Sequence, residues 1–257
     1  MGVIWLTGKT HRAGGVLCSV IGFELLRRNG LLLPDVNEVI QMMVMYPFCI
    51  WGSVASDLDH NWDSSPQKDI VSRGINVSLH ITTPVCEGLE TTHQDDTLLY
   101  KVLNLFNAKH RSWQTHSDLT LIFMLCILRW ILHLEPGGIF SAVDISIMAL
   151  IVMGIGIGVI AHFILDMLTP DGIWFTPAVV FNFLVRKITK KRVYYLQKIH
   201  LVPKSKFFAT GGKWEDLIRW ILNISAGLSV IYIILFSAFP ELGEKLLVWF
   251  PFSIEFV

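Results

Sequence analysis

The sequence is short of charge. Asp, Glu, Lys and Arg make up 16% of its 257 residues, against about 25% in soluble globular domains. Hydrophobic residues reach 53%, and the mean hydropathy is +0.53. That balance excludes an ordinary soluble fold and predicts an all-α polytopic membrane bundle, a single domain over 1–257. Neither sign of charge is in excess, with 21 basic and 21 acidic residues, so no nucleic-acid partner is expected. The four cysteines, Cys18, Cys49, Cys86 and Cys126, have no C-x-x-C spacing. This argues against a disulfide framework and for buried, inert thiols. No small-residue cleavage site follows the first apolar run. Arg27-Arg28 follows instead, so no cleavable leader is expected. There is no internal repeat.

What is present is a series of apolar runs. They predict about five spans, at 13–26, 38–56, 119–134, 139–165 and 217–239. Pro47 is tolerated as a kink in the second, because neighbouring helices can satisfy the freed backbone groups. Gly154, Gly156 and Gly158 in the fourth allow close helix approach. A polar insertion at 61–108 separates spans two and three, with helices expected near 70–79 and 98–106. A connection at 170–216 has an apolar first part suited to the membrane interface and a basic second part, including RKITKKR at 186–192.

Span order alone brings chemistry together. Alternating helices put the start of the first span, the end of the second, the start of the third and the end of the fourth on one side. Those ends carry His11; Asp57, Asp59 and His60; His110, Arg111 and His116; and His162 with Asp166. His162 and Asp166 are one helical turn apart on one face. Carboxylates at the C-terminal end of a helix oppose its dipole, so Asp57 and Asp59 call for a cation. Ionisable groups at membrane helix ends are costly unless they are bound or paired. The same side carries the basic run at 186–192, with Lys198, Lys204, Lys206 and Lys213. The other side has Arg27, Arg28 and Lys245. The positive-inside rule then places the His/Asp rim in the cytoplasm.

At these residues the chain resembles the family of LexA-regulated, membrane-bound, metal-dependent hydrolases, the YdjM-like proteins. The family pattern has an early histidine, then PD-x-DH at a span end. H-R-x-x-T-H-S follows, and later G-x-x-x-H-x-x-x-D-x-x-T-P-x-G. Here the matching elements are His11, SDLDH at 56–60, HRSWQTHS at 110–117 and GVIAHFILDMLTPDGI at 158–173, followed by Pro177 and a Gly-Gly loop leading to Glu215. Ser56 stands where the pattern has proline. Three residues rather than two separate Arg111 from Thr115. The resemblance covers most of the chain outside the insertion, and it implies an inner-membrane protein with a metal site.

The expected chemistry is a divalent metal, one or two ions, zinc or else manganese or iron. The candidate ligands are His11, Asp57, Asp59, His60, His110, His116, His162 and Asp166. Candidate catalytic residues are Asp59, Arg111 as an anion clamp, His116 and Glu215. The metal would activate water, and a membrane lipid, anionic or carrying a phosphoester, is the expected substrate. Two other functions use the same residues. A metal-ion transporter needs its ligands at mid-membrane depth, whereas these cluster at one mouth. A non-catalytic effector would use the ion only to staple helix ends.

Overall fold

A computed structural model describes residues 8–34, 36–59, 69–94, 96–105, 115–137, 139–169, 172–189, 198–199 and 213–238. The elements are α1 (Gly8–Arg28), α2 (Glu38–Ala55), a 3-10 turn (Ser56–Asp59), α3 (Ile70–Leu79), α4 (Thr83–Thr91) and α5 (Leu98–Leu105). They continue with α6 (Asp118–Leu132), α7 (Ala142–Met167), β1 (Ile173–Trp174), α8 (Thr176–Thr189), β2 (Lys198–Ile199) and α9 (Lys213–Ala238). Strands β1 and β2 pair antiparallel, Ile173 opposite Ile199.

Caps define most of the helix starts. Ser141 and Asp144 form a reciprocal capping box at α7, so that helix begins at Ala142 rather than at Ile139 as its hydropathy alone predicts. Ser117 caps α6 and Asp69 caps α3. Two helices of the insertion fall where expected; α4, with a proline in its first turn, was not foreseen.

The centre of the bundle is α7, packed on α1, α2 and α6, while α1 also packs on α2 and α9. Two glycines explain the closeness of α2 and α7. A Cβ added at Gly154 would meet the carbonyl of Met45 at 2.6 Å, and one at Gly158 would fall on the carbonyl of Cys49. Gly52 of α2 is pressed in the same way against the backbone of Ile155. This is the small-residue contact that lets membrane helices approach backbone to backbone. Gly156 faces open space and takes no part. At one end of the bundle Phe23, Met45 and Leu150 form an apolar cluster. At the other, Val159, Phe163 and Ile173 do.

Among the described residues two helical segments are long and apolar enough to cross a membrane, Glu38–Asp59 and Ala142–Met167. The other three expected spans are not among them. Helix α6 has 15 residues, roughly 22 Å of rise, below the hydrocarbon thickness of about 30 Å. Helix α1 carries Lys9, Arg12, Glu24, Arg27 and Arg28, while α9 keeps its charges, Lys213, Glu215, Asp216 and Arg219, in its first two turns and is uncharged from Trp220 to Ala238. The cysteines are free; Cys49 is buried as expected, Cys18 is half-buried, and Cys86 in the insertion is buried too. Cys126 is exposed, which corrects its reading as buried: α6 packs on α7 along one side only.

Candidate metal centre

The ends of α1, α2 and α7 meet the start of α6 at one rim. His11, His116, His162 and Asp166 are fully buried there, Asp59 is 1% exposed and Asp57 is 7% exposed. The 3-10 turn after α2 delivers the two aspartates. It is held from outside by α3, where Asn76 Nδ2 donates to the carbonyl of Leu58 at 2.5 Å. Trp51 Nε1 also donates to Ser72 Oγ at 3.1 Å. The insertion thus braces the turn that presents Asp57 and Asp59.

His162 is set by the α2–α7 contact. Carbonyls in the last turn of a helix lack intrahelical partners, and Ser53 of α2 offers its carbonyl to His162 Nδ1 at 2.7 Å. A carbonyl can only accept, so Nδ1 carries the proton and Nε2 presents a lone pair. Gly158 lies one turn before His162 and Gly52 lies beside Ser53. The glycine contact and the imidazole orientation are therefore one piece of geometry.

His116 is set by a relay. Thr115 Oγ1 donates to Asp59 Oδ2 at 2.5 Å and lies 2.9 Å from His116 Nδ1. With its own proton given to Asp59, the hydroxyl accepts from Nδ1, and in the neutral imidazole His116 Nε2 also presents a lone pair. The two Nε2 atoms face each other at 3.2 Å. Two lone pairs at that distance repel, so a proton or a metal cation must lie between or beside them.

Asp166 completes the set. Its Oδ2 lies 3.2 Å from His162 Nε2 and 3.4 Å from His116 Nε2. Ligand atoms bound tetrahedrally at ~2.0–2.1 Å from one ion are separated by roughly 3.3–3.4 Å. All three pairwise distances fall on or near that value. His11 and Asp57 flank the trio: His11 Nε2 is 3.7 Å from Asp166 Oδ1, and Asp57 Oδ1 is 3.7 Å from His116 Nε2 and 3.8 Å from His162 Nε2. The His11 and His162 rings stack with centroids 4.0 Å apart. Two ligand groups result, His11/His162/Asp166 and Asp57/His116/His162. They share His162, whose single available nitrogen belongs to one ion.

The charge balance agrees. Burial alone would lower the pKa of His116, but hydrogen bonds to Asp57 and Asp59 and the charges of Asp166 and Asp59 outweigh it, and the imidazole is pushed up to about 9. The carboxylates around His116 thus favour a positive charge there, a proton where no metal is bound.

Of the expected residues, His11, Asp57, Asp59, His116, His162 and Asp166 are brought together. Asp59 reaches His116 through Thr115 and lies behind it. Glu215, 1% exposed, accepts from Thr10 Oγ1 at 2.6 Å, which places it against the neighbour of His11. His60, His110 and Arg111 lie outside the described residues. Ser53, Asn76 and Thr115 were not foreseen. Thr115 stands inside a histidine motif, where a neighbouring hydroxyl is a readable signal; Ser53 acts through its backbone and leaves none. A strand pair borders the rim: Trp174 N donates to His116 O at 2.8 Å, and the Lys198 ammonium lies 4.7 Å from the Trp174 ring centre.

These features define a helical membrane protein with a buried His/Asp cluster at one bundle rim, whose groups could hold a metal ion. Residues 6–239 match the family described as YdjM inner membrane protein, and the chain belongs to that family. No curated protein and no solved structure matches it.

Proposed function

We propose that the rim is a divalent-cation centre that hydrolyses a phosphoester of a membrane lipid or lipid-linked molecule. The observation that carries this is the triangle of His116 Nε2, His162 Nε2 and Asp166 Oδ2, with sides of 3.2, 3.2 and 3.4 Å. His11 and Asp57 complete the donor set, and Asp59 acts as a positioning residue through Thr115. The mixed nitrogen and oxygen set suits zinc, manganese or iron. The shared His162 favours one ion rather than two. When bound, the cation supplies Lewis acidity and makes water acidic enough to attack near neutral pH. Around it the chain's own residues orient the imidazoles and exclude bulk water; the role assigned to Arg111, from its place in the histidine motif, is to bind the anionic oxygen, and that of Glu215, held by Thr10 next to His11, is to accept a proton. Five helices, α1, α2, α6, α7 and α9, cross or enter the membrane, with the rim on the cytoplasmic side, where the basic residues collect.

The same burial also suits an ion that only staples the helix ends, since structural sites are closed and catalytic sites keep an open position. Asp57 and Thr115, 7% and 8% exposed, mark where solvent reaches the centre. The test is the purified full chain in nanodiscs, loaded with zinc or manganese and assayed for phosphate or headgroup release from lipid phosphoesters. Metal-dependent turnover abolished by His162→Ala supports hydrolysis. Stoichiometric metal without turnover leaves the stapling role. Cation flux across proteoliposomes without turnover points to transport.

A further inference from the structure

Helix α8 has its apolar face on the outside. Val180, Phe181, Leu184 and Ile188 are 49%, 52%, 48% and 80% exposed. Their spacing puts them on one stripe of a helix. The opposite side carries Asn182, 5% exposed, with Ala178, Val179 and Val185 half-buried. A soluble helix would be turned the other way. The 14 residues of α8 give roughly 21 Å, too short to span a bilayer core of about 30 Å. Exposed Lys187 flanks the stripe.

Two further observations specify what covers that stripe. Helix α8 is rooted at the rim, where Thr176 N donates to Asp118 Oδ1 at 2.9 Å and Trp174 N donates to His116 O. Its sequence surroundings have one sign: from Gly172 to Trp214 there are nine Lys and Arg residues and no Asp or Glu. A second copy of the same chain would meet this segment with like charge. An anionic lipid leaflet meets it with opposite charge and supplies the hydrocarbon that the stripe lacks.

We propose that α8 is an in-plane membrane helix that binds anionic lipid. Its apolar stripe is immersed in the headgroup and acyl boundary, and Lys187 at the edge of the stripe draws lipid phosphates, as does the positive charge of the sequence that follows it. Amphipathic helices of this composition bind by buried apolar area plus attraction to anionic headgroups. Each nearby cation favours an anionic surface roughly fivefold. The inference stands whether or not the centre is catalytic.

The test uses the full chain in nanodiscs of phosphatidylcholine with a minor share of phosphatidylglycerol. A benzophenone amino acid replaces Phe181 or Leu184, and adducts are identified by mass spectrometry. Ile160, a 44% exposed position on α7, serves as the reference for hydrocarbon contact. The expected result is lipid adducts at both α8 positions, with phosphatidylglycerol several-fold over its share of the bilayer. No such enrichment is expected at Ile160. Charge reversal by Lys187→Glu, Lys190→Glu and Lys191→Glu brings the α8 adducts down to the bilayer ratio while Ile160 still labels lipid. Absence of lipid adducts, adducts to a second protein chain, or lipid adducts in plain proportion to the bilayer would each overturn the proposal.

Discussion

His80 in the insertion and His162 at the rim both set Nδ1 against a backbone carbonyl. His80 takes the carbonyl of Asn76 in its own helix at 2.9 Å, and His133 takes that of Arg129 in the same way at 2.8 Å. His162 takes Ser53 at 2.7 Å, on another helix and 109 residues away. In the first two the bond ends a helix, and only the local chain is fixed. In the third it locks an imidazole to the bundle, so Nε2 aims at a set point among carboxylates. A histidine acts as a ligand when its second nitrogen is held by something that does not move with its own helix, as in metal sites generally.

The contrast is sharpest when the ligands themselves are removed. His162→Ala and Asp166→Asn should each lower metal affinity by well over the ~10–100-fold typical of losses behind the ligands. His80→Ala should leave metal content unchanged; elemental analysis of the purified protein checks this. The next largest effect is expected from Gly158→Ala, which puts a methyl group on the carbonyl of Cys49. It should cost about 1–3 kcal/mol and part His162 from Ser53, lowering both the melting temperature and the bound metal. Gly156→Ala, two residues away but facing open space, should be neutral or stabilising by up to about 1 kcal/mol. Equal losses from the two would show that the α2–α7 contact does not position the imidazole.

Thr115→Ala should lower metal affinity by about tenfold with little change in melting temperature, because it cuts the relay from Asp59 to His116 behind the ligand. Thr115→Ser should restore it; failure of that rescue would remove the hydroxyl from the relay. The smallest effect is graded with pH. In metal-free protein His116 has its pKa raised to about 9 from an ordinary value near 6.5. Its protonated form therefore stabilises the metal-free fold fully below about pH 6.5, and that stabilisation is lost as pH rises through about 9. A metal needs the neutral imidazole and must displace this proton. Zinc or manganese affinity should thus climb between pH 6.5 and 9, with proton release detectable by titration calorimetry in buffers of different ionisation enthalpy. A flat profile would show that His116 stays outside the coordination sphere.

Much of this architecture is present in the residue pattern. The apolar runs at 38–56 and 139–165 become the two helical segments long and apolar enough to cross a membrane, and their ends carry Asp57, Asp59, His162 and Asp166, which the fold brings to one rim. Helices expected near 70–79 and 98–106 are found at Ile70–Leu79 and Leu98–Leu105. Other features had no signal along the chain. Thr115 and Asn76 are ordinary polar residues whose partners, Asp59 and the Leu58 carbonyl, are 56 and 18 residues distant. The sequence marks the start of the 170–216 connection as apolar and suited to the membrane interface, but which side α8 turns to the bundle depends on packing.

The sequence by itself determined the low charge, the apolar runs and the order of their polar ends, and so which residues could share a rim. Only the tertiary structure decided that two nitrogens and one carboxylate oxygen stand at the separations one ion imposes. That spacing follows from how closely α2 and α7 approach. Backbone atoms meeting over Gly52, Gly154 and Gly158 set this distance, and ångström-scale spacing between helices is a property of packing that no single stretch of chain contains.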